Sequence, residues 1–188
     1  MNSEIKIIKL LLDERDKFTI KKISELLNIN YRIAHEQIMK LGKDGIIKIT
    51  KAGNSSICEL NNRFDQRIFE AEYSRREEML KNKDLLVLHN RLSELKFSFI
   101  VLLFGSYAKR TADKNSDIDI LAIGGDEKEI KTTIALLPDK IHLTSISFEN
   151  FIHMAKSKEF TVVSEAMKNN IILIGIEEYY RLVKNAEQ

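Results

Sequence analysis

The chain has 188 residues, of which 44% are hydrophobic and 31% charged, and its formal net charge at pH 7 is only +2. This composition is that of an ordinary globular protein, and its longest apolar runs fall far short of the ~20 residues that a membrane helix needs. The single cysteine excludes an internal disulfide, and without a signal-peptide pattern at its start the chain is expected in the cytoplasm.

Residues 1–61 have the pattern of three helices followed by a β-hairpin. Apolar residues recur at helical spacing in SEIKIIKLLLDE, in FTIKKISELLNI, where Leu26 and Leu27 are both expected to face inward, and in YRIAHEQIMKLGKDG. The predicted N-terminal caps of the three helices are Ser3, Thr19 and Asn30. Gly45 ends the third helix, and the turn residues AGNSS then join two short β-type runs.

Positive charge is concentrated in this first third of the chain. Residues 1–61 hold 11 Lys and Arg against 8 Asp and Glu, whereas the remainder is close to neutral. Between Lys17 and Lys51 there are 8 basic and 3 acidic residues. A basic segment of this kind indicates a polyanionic partner.

The order helix, helix, turn, helix and hairpin resembles a winged helix-turn-helix domain of the kind found in transcription regulators. The resemblance implies DNA binding, with the helix over 31–44 in the major groove and the hairpin against phosphates. The side chains that it assigns to the DNA contact are Tyr31, Arg32, His35, Gln37, Lys40, Lys48 and Lys51. A domain that contacts protein instead is an open alternative, since Glu36 and Asp44 dilute the positive face.

Residues 62–83 are a predicted connecting helix, and residues 84–188 alternate between strands and helices. The runs FSFIVLLF, DIDILAIG, KIHLTSIS and IILIG are predicted strands, with helical stretches between and after them. This alternation favours a mixed α/β sheet with helices packed on it. The chain as a whole is therefore predicted to be an α+β or mixed α/β protein with two domains.

Asp117 and Asp119 stand one residue apart where the chain enters an apolar strand. Side chains on a strand alternate between faces, so both carboxylates are expected on one face, which Leu121 and Ile123 continue into the core. Neighbouring carboxylates repel each other and need a neutralising partner. Because Mg²⁺ is held by one or two carboxylates together with substrate phosphates, the pair predicts a metal site.

Gly105 and Ser106 follow the preceding strand directly and open a short helix. Glycine lets a phosphate approach the backbone closely, and amides at a helix N-terminus attract anions. The Ser106 hydroxyl adds a hydrogen-bond donor, and Lys109 or Arg110, one turn further on, adds positive charge. An anion cradle beside paired acids predicts a site for a metal-bound nucleoside triphosphate.

Gly105-Ser106, ten residues and then Asp117-Ile118-Asp119 form a GS-x10-DxD pattern, which resembles the minimal nucleotidyltransferases of the DNA polymerase beta superfamily. The resemblance implies a nucleotidyltransferase-type mixed sheet over 84–188, with Asp117 and Asp119 catalytic and binding Mg²⁺ or Mn²⁺. The residues that it assigns to the nucleotide, with ATP expected, are Gly105, Ser106, Lys109 and Ser116. Some relatives act as antitoxins that modify a HEPN-type toxin, which implies a HEPN-type protein partner.

Two positions depart from the family pattern. Arg110 stands where the family often has glycine, and a left-handed backbone there costs a non-glycine residue roughly 1 kcal/mol. Active members commonly carry a third acid on the following strand, but KIHLTSIS has none, and the nearest acids are Asp139 before it and Glu149 after it. By strand order, His142 occupies the expected position.

The leading hypothesis is a metal-dependent nucleotidyltransferase that moves a nucleoside monophosphate from ATP to an acceptor hydroxyl, for example on a partner protein, coupled to DNA binding. The alternative is a DNA-binding regulator or antitoxin-like protein whose degenerate nucleotidyltransferase domain only binds nucleotide or dimerises. The missing third acid favours this alternative. A homodimer is compatible with both, and no membrane partner is expected.

Overall fold

The structure is a computed structural model that describes residues 2–61, 63–137, 140–157 and 160–186. Asp139, one of the acids considered above, lies outside the described residues. The chain divides into two compact units, Met1–Ser74 and Arg75–Gln188. Within the described ranges, the helices are too short or too polar to cross a membrane.

Short helices and one three-stranded antiparallel sheet make up the first unit. Its helices are α1 (Ser3–Glu14), α2 (Ile20–Leu26), α3 (Tyr31–Lys43) and the first part of α4 (Gln66–Met79), which runs across the division between the units. Its strands are β1 (Phe18–Thr19), β2 (Ile47–Ala52) and β3 (Ser55–Leu60), in the order β1-β3-β2. The predicted three helices and hairpin are confirmed, and β1 is a strand that the sequence pattern did not indicate.

Polar side chains set where the first three helices begin. The side chains of Asn2, Thr19 and Asn30 each accept a hydrogen bond from a backbone amide two or three residues further on. The predicted caps Thr19 and Asn30 are confirmed, but Ser3 is wrong. Ser3 is itself the first helical residue, and Asn2 has the extended backbone that a capping residue needs.

Leu26 is a second correction, because it is 46% exposed rather than inward-facing. The buried apolar residues of α2 are Ile20 and Ile23. At about 100° per residue, Leu27 comes back under Ile20, whereas Leu26 lies about 120° away from it. The apolar stripe of this short helix therefore continues through Leu27, which is half-buried.

An ion-pair cluster around Arg67 ties the start of α4 to α1 and α3. The Arg67 guanidinium lies 2.7 Å from Asp44 Oδ2, 3.1 Å from Asp65 Oδ1 and 3.3 Å from Glu4 Oε2. The Lys40 ammonium lies 2.6 Å from Glu4 Oε1, and the Glu4 side chain is only 9% exposed. A hydrogen bond from Lys40 and, to a smaller extent, one from Arg67 hold the pKa of Glu4 below its ordinary value. A hydrogen bond from Arg67 also lowers the pKa of Asp65.

Glu4→Gln is expected to lower the free energy of unfolding by about 1–2 kcal/mol at pH 7, because it removes the charge that two cations share. Since the folded-state pKa of Glu4 is lowered, this stabilisation is full above its ordinary pKa of 4.5. It is lost as the pH falls through the folded-state value, where the variant and the wild type should converge. Urea denaturation followed by circular dichroism between pH 3 and 7 measures both effects.

The matched control is Glu25→Gln, which removes an exposed partner 3.9 Å from Lys21. An exposed i,i+4 pair contributes only about 0.3–0.5 kcal/mol. Equal losses for the two variants, or a loss at Glu4 that does not change with pH, would contradict the role given to this cluster.

The second unit is a four-stranded mixed sheet with helices packed on it. Its strands are β4 (Phe99–Leu103), β5 (Ile118–Gly124), β6 (Ile141–Ile146) and β7 (Ile171–Ile174), in the order β6-β5-β4-β7. Its helices after α4 are α5 (Lys83–Ser93), α6 (Gly105–Ala108), α7 (Glu127–Ala135), α8 (Phe148–Lys156), α9 (Val162–Lys168) and α10 (Ile176–Ala186). β5 pairs antiparallel with β4 and parallel with β6, which confirms the predicted mixed sheet.

Both faces of the central strands are buried. On one face, Ile118, Ile120 and Ala122 of β5 join a core with apolar residues of α5 and α7. On the other face, Leu121 and Ile123 are fully buried, as the sequence predicted. The first residues of β5 are thus held rigidly at one end of the sheet, where Asp117 and Asp119 lie.

Candidate active site

Asp119 is the second residue of β5, and Asp117 directly precedes the strand. Ile118 and Ile120 are 4% and 0% exposed, whereas Asp117 is exposed and the Asp119 side chain is 30% exposed. Because side chains alternate along a strand, the Asp119 carboxylate leaves β5 on the face opposite to these two isoleucines. The apolar residues on either side of Asp119 therefore anchor it in the core while its carboxylate reaches solvent.

Gly105 lies against the Asp119 carboxylate. Its backbone has φ +67°, and a Cβ built on it would come within 2.3 Å of Asp119 Oδ2. The Phe104 amide donates to the Asp119 carbonyl at 3.0 Å, which joins the end of β4 to the start of β5 at this point. Two features favour glycine here: it adopts the left-handed backbone without strain, and its missing side chain leaves the space that the Asp119 carboxylate occupies.

Ser106 lies half-buried in the short helix α6. Its carbonyl accepts a hydrogen bond from the Thr111 amide at 2.9 Å. Its hydroxyl makes no hydrogen bond to another described residue. The hydroxyl is therefore available to a ligand at the predicted phosphate position.

Lys109 and Arg110 make ion pairs away from the two acids. Lys109 Nζ lies 3.2 Å from Glu165 Oε1, and Arg110 NH2 lies 3.2 Å from Glu78 Oε2. All four side chains are at least one-third exposed, and exposed pairs of this kind contribute about 0–1 kcal/mol. A bound phosphate could redirect Lys109 at little cost. Arg110 has φ +57°, so it does adopt the left-handed backbone considered for this position.

Ser116 belongs to the loop that leads into Asp117. Its hydroxyl donates to Asp113 Oδ1 at 3.1 Å, and the Asp113 amide lies 2.9 Å from Ser116 Oγ. The Asn115 amide also donates to Asp113 Oδ1, and this hydrogen bond together with that of Ser116 lowers the pKa of Asp113. Ser116 thus fixes the loop immediately before the acids, and its hydroxyl is engaged within the chain.

The two acids have little positive charge near them within the chain. His142 Nδ1 lies 3.6 Å from Asp119 Oδ1. Among the residues that the structure describes, no Lys or Arg lies within ion-pair distance of Asp117 or Asp119. A cation brought by a ligand would therefore meet two carboxylates that no described Lys or Arg neutralises.

His142 occupies the position on β6 where a third acid was expected. β5 and β6 are parallel, and Asp119 pairs directly with His142 in their register. Glu149 lies in the first turn of α8, beyond the far end of β6. The described residues contain no preformed cluster of three or more His, Cys, Asp or Glu side chains that could hold a metal ion.

The predicted DNA contacts on α3 form a mixed surface. Tyr31, Arg32, His35 and Lys40 are exposed, whereas Gln37 is half-buried. Arg32 Nε lies 3.0 Å from Glu36 Oε1, and Lys40 also pairs with Glu4, as described above. Two of the cations assigned to DNA are therefore paired with acids of the same unit.

Lys43 is a basic residue that the sequence prediction omitted. It is exposed in the last turn of α3 and makes no ion pair with another described residue. Its separation of seven residues from Glu36 places it on the outward face of the helix, which is the signal that could have identified it.

The hairpin exposes the two lysines predicted to meet phosphates. Lys48 and Lys51 both lie on β2 and are exposed. Lys48 is opposite Glu59 in the register of the hairpin, and Glu59 Oε2 lies 2.9 Å from Lys17 Nζ. Within the described part of the chain, neither hairpin lysine is in an ion pair.

A cavity of about 510 Å³ opens beside the start of β5 in the second unit. Its walls include Tyr107, Lys114, Ile118, Lys140 and Ile141. Ile118 stands between the two acids in sequence and points to the opposite face of β5 from Asp119. The sequence pattern did not predict this cavity, because its walls come from segments that are distant along the chain.

A family model described as "Polymerase beta, Nucleotidyltransferase" matches residues 88–179. The matched range lies within the second unit and includes Gly105, Ser106, Asp117 and Asp119. It supports a nucleotidyltransferase domain of this superfamily in that part of the chain. Searches of curated proteins and of solved structures found no match.

Gly105→Ala is expected to weaken Mn²⁺ binding by roughly tenfold or more, because the added Cβ displaces the Asp119 carboxylate. It should also lower stability by about 1–2 kcal/mol through the left-handed backbone. Electron paramagnetic resonance of free Mn²⁺ and urea denaturation measure the two effects.

Gly53→Ala is the matched control, since Gly53 has φ +57° and nothing within 4 Å of a built Cβ. It should show the backbone destabilisation without a change in metal binding. The steric role of Gly105 is refuted if Gly105→Ala binds Mn²⁺ as tightly as the wild type.

Proposed function

We propose that the second unit is a metal-dependent nucleotidyltransferase that moves a nucleoside monophosphate from a triphosphate, with ATP expected, to an acceptor hydroxyl. The observation that carries this proposal is the pair of carboxylates at the start of β5. The Asp119 carboxylate lies against Gly105, and neither acid has a Lys or Arg partner among the described residues. The family match over 88–179 supports the general class of reaction.

The residues present fit a hard divalent cation. Asp117 and Asp119 offer oxygen ligands, which Mg²⁺ and Mn²⁺ prefer, and the missing side chain of Gly105 leaves the Asp119 carboxylate uncovered. When bound, such an ion neutralises phosphate charge and orients the triphosphate for in-line displacement. Asp117 and Asp119 would hold the positive charge of the ion at the start of β5.

The remaining site residues bind and orient the triphosphate. The Ser106 hydroxyl, at the start of α6, is a donor with no other described partner. Lys109 can exchange its exposed pair with Glu165 for a phosphate oxygen. Ser116 acts indirectly, because it holds the loop before Asp117.

The acceptor hydroxyl gives its proton to solvent and its oxygen forms a bond to the α-phosphorus, while the bond from that phosphorus to the bridging oxygen breaks and pyrophosphate leaves. We place the acceptor on a partner protein of the HEPN type, as the resemblance to antitoxin nucleotidyltransferases implies. β6 supplies no carboxylate to assist this step. That observation favours the second candidate, a DNA-binding regulator or antitoxin-like protein that binds nucleotide or dimerises without turnover.

Label transfer from α-³²P-ATP with Mg²⁺ or Mn²⁺ separates these two candidates. Polypeptide, RNA and small-molecule acceptors are assayed separately. Asp117→Asn and Asp119→Asn should each reduce transfer by at least about a hundredfold, because each removes a ligand for the charge-neutralising ion. Glu129→Gln, which changes an exposed acid on α7, should leave transfer unchanged.

Two results would count against the enzyme. Transfer that survives in both Asp variants would assign the chemistry to another site. Nucleotide binding without transfer to any acceptor class would favour the nucleotide-binding regulator.

We also propose that the first unit is a winged helix-turn-helix domain that binds DNA. α2 and α3 joined by a short turn, followed by the β2–β3 hairpin, support this proposal. So do the exposed cations Lys43, Lys48 and Lys51, which no acid among the described residues neutralises. α3 would enter the major groove, and the hairpin lysines would contact phosphates.

Binding of the full chain to a labelled DNA duplex should weaken steeply as salt is raised, because bound counterions are released. The double variant Lys48→Ala/Lys51→Ala should reduce the slope of log K against log salt by about 1.8, or ~0.9 for each lost phosphate contact. Lys128→Ala/Lys131→Ala, which changes exposed lysines of α7, is the charge-matched control. A flat salt response, or equal slopes for the two double variants, would refute DNA binding through the hairpin.

A further inference from the structure

We propose that His142 supplies a nitrogen ligand to the metal ion held by Asp117 and Asp119, and so shifts the metal preference of this site from Mg²⁺ toward Mn²⁺. The inference rests on the proposed nucleotidyltransferase site and concerns its metal selectivity. It assigns a role to a side chain at the position where related enzymes carry an acid.

The strand register places His142 beside Asp119. The two residues are direct partners on the parallel strands β5 and β6, so their side chains leave the sheet on the same face. His142 Nδ1 lies 3.6 Å from Asp119 Oδ1. This separation is longer than a hydrogen bond, and it is short enough for both atoms to bind one ion, because ligands about 2 Å from a common ion lie roughly 3 Å apart.

The His142 side chain is able to turn toward an ion. It is 83% exposed and makes no hydrogen bond to another described residue. Asp117 is likewise exposed. The three side chains are not preassembled into a metal cluster among the described residues, so binding requires the exposed Asp117 and His142 side chains to turn toward Asp119.

Among the described residues, the acids near β6 in sequence do not compete with His142 for this position. The described residues of β6 include no carboxylate. Glu149 follows the far end of the strand, and the five residues from His142 to the end of the loop at Ser147 span about 16 Å at 3.3 Å per residue. His142 is therefore the candidate that the register places beside the acids.

An imidazole ligand changes which ion the site prefers. Mg²⁺ favours oxygen ligands and gives up its water reluctantly. Mn²⁺ also favours carboxylate oxygen, but as a transition-metal ion it accepts an imidazole nitrogen more readily than Mg²⁺ does. A site with two carboxylates and one imidazole should thus discriminate against Mg²⁺ more strongly than a site with three carboxylates.

The test measures metal binding by the full chain at pH 8 without nucleotide, so that it does not depend on activity. Free Mn²⁺ is followed by electron paramagnetic resonance, and Mg²⁺ is added as competitor. His142→Ala should weaken Mn²⁺ binding by about tenfold with a much smaller effect on Mg²⁺. His142→Asp should raise Mg²⁺ affinity relative to Mn²⁺.

Electron spin-echo modulation provides a direct readout. Bound Mn²⁺ should show coupling to a ¹⁴N nucleus in the wild type and in His153→Ala, which removes an exposed histidine of α8. The coupling should disappear in His142→Ala. Because His142 is largely exposed, these variants are expected to fold, which circular dichroism verifies.

The outcomes separate this inference from the function on which it rests. Mn²⁺ binding that requires Asp119 but shows no ¹⁴N coupling, or an unchanged Mn²⁺ to Mg²⁺ ratio in His142→Ala, overturns the role of His142 and leaves the nucleotidyltransferase proposal standing. Failure of the wild type to bind Mn²⁺ both alone and in the presence of ATP, or binding that Asp119→Asn leaves intact, overturns both.

Discussion

The close approach of Gly105 to the Asp119 carboxylate is the constraint on which the candidate site depends. Gly105 has a left-handed backbone, and a Cβ there would lie 2.3 Å from Asp119 Oδ2. The Phe104 amide bonds to the Asp119 carbonyl at the same point. The turn after β4 and the start of β5 therefore meet at this point, and the place that the Asp119 carboxylate occupies depends on the absence of a side chain at Gly105.

The carboxylates of Asp117 and Asp119 have no Lys or Arg side chain within ion-pair distance among the described residues. Lys109 and Arg110, the cations nearest in sequence to the Gly-Ser turn, pair with Glu165 and Glu78, and among the described residues His142 is the basic side chain within ion-pair distance of Asp119. A metal-bound triphosphate would supply the positive charge that the two acids lack, and it would stabilise the folded chain by mass action.

Much of the fold was predictable because the relevant signals are local. The strands of the second unit were identified from short apolar runs, and Thr19 and Asn30 were identified as caps from their side-chain chemistry. The two errors each concern a residue next to the one that has the predicted role. Asn2 is the cap in place of Ser3, and of the two leucines predicted to face inward only Leu27 continues the apolar stripe, since a shift of one residue rotates a helical position by about 100°.

For the candidate site, the sequence by itself determined the spacing of Gly105 and Ser106 from Asp117 and Asp119, and with it the predicted chemistry, because these residues lie on one strand–turn–strand segment. Only the tertiary structure decided that His142 is the direct neighbour of Asp119 and that Lys109 turns to Glu165. These contacts depend on the register of β5 against β6 and on helix packing, which arise from many apolar contacts between distant segments rather than from a local pattern.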